Sequence, residues 1–151
     1  MLNRRSFMLA APVAVAAVLH AYPQRAMAAS GVVTAVVAAA NAFLDSLSSE
    51  QRNQVLFDAA DPALRQWIYF PSRRDRNGLA FEALTEAQRA AAFAVVRAIL
   101  SEDGYAQFVG VITAEDELGV RNGESHVNSG RYFIAFFGNP DPAGRFTVQV
   151  N

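Results

Sequence analysis

Seven consecutive residues near the C-terminal end, Arg131-Tyr132-Phe133-Ile134-Ala135-Phe136-Phe137, constrain this chain more than any other stretch. Their apolar side chains do not alternate with polar ones. Extended backbone here therefore puts greasy groups on both faces, the pattern of a strand covered on two sides. The run Arg145-Phe146-Thr147-Val148-Gln149-Val150 does alternate and reads as a second strand, with Gly138 to Gly144 as the loop between them. Together they predict a hairpin. A lone hairpin is marginal in water, so either helices pack over it or the sheet continues beyond Asn151.

The preceding residues supply helices. Val33, Val36, Val37, Ala40, Phe43, Leu44 and Leu47 recur with helical period between Thr34 and Leu47. Ser48-Ser49-Glu50-Gln51 is a capping box and predicts a short second helix carrying Val55, Leu56 and Phe57. Asp61-Pro62 pairs a capping aspartate with proline at the first helical position, and the turn it opens leads to Trp67. Pro71 stops that segment, and Asn77-Gly78 is a turn dipeptide. A second capping box, Thr85 to Gln88, opens a helix running to Leu100. Ser101 caps another that ends near Gly119 or by Asn122-Gly123. The expected fold is α+β: about four N-terminal helices packed on a C-terminal antiparallel hairpin, an incomplete sheet.

Ahead of this domain, Asn3-Arg4-Arg5-Ser6-Phe7-Met8-Leu9 looks like a twin-arginine export signal. The apolar run Phe7 to Leu19 is shorter than the ~20 residues a bilayer span needs and contains Pro12. Ala26-Met27-Ala28 is a small-x-small site, so cleavage is expected between Ala28 and Ala29. Residues 1–28 would then be a signal peptide and 29–151 one α+β domain, periplasmic or secreted, with no membrane span after processing. Arg4 and Arg5 would engage the twin-arginine export machinery.

Composition narrows the chemistry. There is no cysteine and no lysine among the 151 residues, which removes thiolate sites, disulfides and lysine Schiff bases. A formal charge of −1, with no basic run interleaved with aromatics, argues against nucleic acid. His126 is the only histidine after the signal, and without HExxH or HxH spacing no metal site is expected. It reads as a surface residue of a polar loop. No cofactor is specified.

Polar residues on apolar helical faces are the remaining clue. Gln88 and Arg89 share a face with Ala92, Val96, Ile99 and Leu100; Glu115 and Asp116 continue the face of Tyr105, Phe108, Val109 and Ile112. Charges on such faces must be paired or lie at a wet cleft. Arg89 is either a structural partner of Glu115 or Asp116, or the orienter of a catalytic Glu115 in a cleft. Trp67 and Tyr69 either stack on a ligand or plug the core. Arg73, Arg74 and Arg76 either grip an anion or form a solvated loop.

The ordered set Asn41 to Arg52, Trp67 and Pro71, Arg76-Asn77-Gly78, Leu84 to Arg89, Leu100 to Tyr105, Ile112, Glu115 and Leu118, and Arg131 to Gly138 resembles the domain of unknown function 3500 family, mostly exported bacterial proteins. The resemblance implies a placement and no activity. Relatives are typically about twice as long or more and carry a G-H-H segment beyond the matching strand, so this chain is expected to be a fragment or shortened relative. Trp67, Arg89, Tyr105 and Glu115 are the positions matching the family pattern. Three functions stay open. One is the helical half of a metal- or acid–base-assisted enzyme with Glu115 and Arg89. Another is a non-catalytic ligand or partner module using Trp67, Tyr69, Arg73, Arg76 and Tyr105. The third is an inactive truncated relative that self-associates through an open sheet edge.

Overall fold

The aromatic run is the central strand of a small mixed sheet. The structure is a computed structural model that describes residues 31–66 and 76–151. The expected signal segment and residues 67–75, with Trp67, Tyr69, Arg73 and Arg74, lie outside the described residues. Strand β3 (Phe133–Phe137) is buried at all five positions. It pairs antiparallel with β4 (Thr147–Val150) from Ile134↔Val150 to Phe137↔Thr147, which is the expected hairpin. Phe133 and Asn151 then exchange both backbone hydrogen bonds at 3.0 Å.

The opposite edge of β3 is filled by two dipeptides placed end to end. β1 (Leu56–Phe57) lies parallel to Phe136 and Phe137, and β2 (Leu79–Ala80) lies antiparallel to Ile134 and Phe133. The expected α+β fold is present, and two short strands extend the expected hairpin into a four-stranded mixed sheet. The expected second helix is also shorter: α2 spans Ser49–Val55, and Leu56 turns to extended φ −109°, ψ 115°. Two residues show no period, so only their pairing with β3 distinguishes them from a helix end. Among the described residues β4 pairs with β3 alone.

Helix α1 covers 31–45 and buries Val37, Ala40, Phe43 and Leu44. The Phe43 ring stacks on Phe136 with centroids 6.0 Å apart. Helix α3 (Glu86–Ile99) buries Gln88, Ala92, Val95 and Val96. Its last apolar residues differ from expectation, since Ile99 and Leu100 are exposed where the helix runs past the core. Helix α4 (Glu102–Asn122) is capped by Ser101 and ends at Gly123 in the left-handed region, φ 69°. Among the described residues no helix is long and apolar enough to cross a membrane.

Both capping boxes form, and they meet. Gln88 Nε2 donates to Gln51 Oε1 at 2.9 Å and Gln51 Nε2 donates to Gln88 Oε1 at 3.3 Å. Gln88 Nε2 also reaches the Ser46 carbonyl at 2.9 Å, and its Oε1 accepts from the Thr85 N–H at 3.0 Å. A buried amide is tolerated when its donors and acceptors are filled. Gln88 therefore sits on an apolar face as the joint between α2 and α3.

Candidate functional site

Tyr132, just before β3, is held by a closed circuit of four rings. Phe81 contacts Phe93 at 5.4 Å, Phe93 contacts Phe108 at 5.9 Å, and Phe108 meets Tyr132 edge-on at 6.1 Å and 83°. Tyr132 returns to Phe81 at 6.4 Å. The rings come from the 3-10 turn Phe81–Ala83, from α3 and from α4. The Phe81 N–H donates to the Tyr132 carbonyl at 2.8 Å. With its ring packed against Phe81 and Phe108, half-buried Tyr132 offers its polar tip for chemistry.

The chain after α4 folds back along that helix. A Cβ on Gly119 would lie 2.0 Å from the Val127 carbonyl oxygen, so this close approach requires glycine. The Asp116 carboxylate accepts from the Ser129 N–H at 2.7 Å, and Asn128 caps the turn Ser129–Arg131 by accepting from Gly130 N–H at 2.9 Å. These bonds bring His126, Val127 and Arg131 alongside Glu115 and Leu118.

The result is a cleft of about 500 Å³ lined by Arg76, Glu115, His126, Arg131 and Tyr132, with Leu118, Val127 and Asn151 completing the wall. Arg131 is only 8% exposed. Its Nη1 lies 3.5 Å from Glu82 Oε1, and its buried Nε makes no hydrogen bond among the described residues. Arg76 lies over the Phe133 ring at 5.9 Å. Its neighbour Asn77 anchors the backbone there by donating to the Ala63 carbonyl at 2.7 Å and to Gln149 Oε1 at 3.1 Å. Two guanidiniums and one carboxylate thus share a half-enclosed space.

Burial pushes the Tyr132 phenol up to about 12, and the Glu115 negative charge and hydrogen bonding to its carboxylate act in the same direction, against a smaller pull from Arg76. The hydroxyl is therefore a donor throughout the physiological range. The folded state holds this proton more tightly than the unfolded chain. The stabilisation is complete below pH ~10, where tyrosine ionises when unfolded, and is lost as pH rises toward 12. In an ultraviolet phenolate titration, Tyr132 is expected to ionise late, and Glu115→Gln to bring it earlier. An unchanged midpoint in that variant would separate the two groups.

The sequence-derived candidates are distributed differently from expectation. The expected Arg89–Glu115 ion pair is not formed among the described residues. Arg89 Nη2 instead donates to the Phe81 carbonyl at 2.8 Å, and Asp116 is taken by Ser129. Arg89 thus braces the Phe81 turn, while Glu115 shares its cleft with Tyr132, and α3 and α4 meet through the rings of Phe93 and Phe108. Tyr105 lies under Arg97, 5.3 Å from its guanidinium carbon, in a shallow groove with Arg89 and Phe93 away from Glu115. Arg76 does reach the cleft. Trp67, Tyr69 and Arg73 lie outside the described residues. Arg131, Tyr132 and His126 were missed as a group. The available signal was a charge heading a strand buried on both faces, which needs a partner.

Among the described residues no group of three or more His, Cys, Asp or Glu could hold a metal ion. A family model described as "Protein of unknown function (DUF3500)" matches residues 29–151. Comparison with curated proteins and with solved structures returns no match.

Proposed function

The chain belongs to the DUF3500 family of proteins of unknown function, and from its own geometry we propose that it binds a small organic anion in the cleft between α4 and the start of β3. The carrying observation is Arg131, nine-tenths buried with an Nε–H that has no acceptor among the described residues. Leaving a buried donor unsatisfied costs about 1–3 kcal/mol, more for a charged group. A guanidinium cannot shed its charge. Glu82, itself half exposed and 3.5 Å away, compensates only one side of it. A ligand carboxylate or phosphate oxygen in the cleft would accept from Arg131 and be flanked by Arg76. A volume near 500 Å³ suits a small molecule.

The test is a titration of the full chain with sodium propionate and inorganic phosphate, followed through the His126 imidazole resonances. Saturable shifts are expected with at least one, and Arg131→Gln should weaken that binding at least tenfold, about 1.4 kcal/mol. A folded Arg131→Gln protein that binds as the parent does would end the proposal. If that variant does not fold, the parent alone decides, because neither anion moving His126 is equally fatal.

A second reading, acid–base chemistry at Glu115, is favoured by one observation: its carboxylate lines the same cleft as Tyr132, whose phenol stays protonated. Recovery of the bound ligand after incubation separates the two. Unchanged ligand means binding, and a converted one means catalysis.

A further inference from the structure

Glu115 is the feature that a site for a plain anion does not explain. Its carboxylate shares the cleft with Arg76 and Arg131, yet among the described residues Arg131 forms its ion pair with Glu82. A ligand carrying only negative charge would be drawn to the guanidiniums and repelled by Glu115 across the same space of about 500 Å³. Glu115 lines the cleft together with Tyr132, and its negative charge helps keep that phenol protonated, so at most one acceptor position of the carboxylate is engaged there. A carboxylate offers about four such positions, so Glu115 retains capacity for a donor from the ligand.

We propose that the ligand is a small zwitterion of the α-amino-acid type, its carboxylate held by Arg131 and Arg76 and its ammonium by Glu115. This rests on the anion binding proposed above and adds the second charge. Leu118 and Val127 line the same cleft and supply an apolar wall for an aliphatic side chain. Opposite charges lining one pocket bind a molecule that carries both complementary charges. They discriminate against analogues lacking either charge, because the site then keeps an unanswered ion.

The experiment uses two matched sets of probes on the full chain, read by titration calorimetry and by His126 resonances. One set is L-leucine, 4-methylpentanoate and 3-methylbutylamine; the other is L-alanine, propionate and ethylamine. Within at least one set the amino acid is expected to bind at least tenfold tighter than the carboxylate or the amine. Glu115→Gln should remove that preference while leaving carboxylate binding unchanged or tighter. If the carboxylate binds as tightly as the amino acid to the parent protein, the zwitterion is wrong and anion binding stands. If no amino acid or carboxylate of either set binds, and phosphate does not, both fall. Binding of the amine alone also overturns both. Should Glu115→Gln fail to fold, the comparison of probes on the parent protein decides unaided.

Discussion

Gly78→Ala is expected to destabilise the domain by about 3 kcal/mol or more, the sum of backbone strain and overpacking. Gly78 has φ +93°, where an L side chain is strained. A Cβ there would also stand 2.0 Å from the Ile134 carbonyl oxygen and 2.9 Å from the Ala135 methyl. Those atoms belong to the central strand, which cannot withdraw because β4 pairs its other edge. The backbone of β2 would have to leave instead, taking Arg76 and the cleft with it. Chemical denaturation should show a lowered midpoint, and anion binding should be lost with it. A variant as stable as the parent would mean that Gly78 is an ordinary turn residue and that β2 does not lie against β3.

Phe136→Ala should cost more, about 3–5 kcal/mol, the usual range for removing a buried phenylalanine. Phe136 is fully buried, faces Phe43 of α1, and lies between Leu56 and Val148 in the sheet. Three segments distant in sequence lose contact at once. For a domain of this size the melting temperature should fall by roughly 10–20 °C. Phe136→Leu, which keeps much of the volume, should cost clearly less. Equal losses in the two variants would argue that the ring is not enclosed by α1 and the sheet.

Much of the helical scaffold was legible in the sequence. Both capping boxes, the aspartate–proline turn and the end of α4 at Gly123 depend on bonds within a few residues, and local chemistry decides them. The hairpin was legible for a similar reason, since a continuous apolar run beside an alternating one leaves few arrangements. Gln88 and Arg89 were correctly singled out as polar groups in apolar places. Their partners were not, because Gln51 and the Phe81 carbonyl come from segments whose approach depends on how α2 and the turn at Phe81 pack.

The cleft was the least legible part. Arg76, Glu115, His126 and Arg131 lie on a loop, a helix, a second loop and a 3-10 turn, and no spacing in the chain relates them. They converge because Gly119 admits the Val127 carbonyl, Asp116 captures the Ser129 N–H, and the Phe81 and Phe108 rings hold Tyr132 in place. Sequence alone determined where the helices of the described residues start and that the run from Tyr132 to Phe137 must be covered on both sides, because each follows from forces acting over one or two turns of chain. Tertiary structure alone decided that Leu56-Phe57 and Leu79-Ala80 are strands and that Glu115 faces Tyr132 rather than Arg89. Those outcomes depend on long-range backbone pairing and ring packing, which no local pattern encodes.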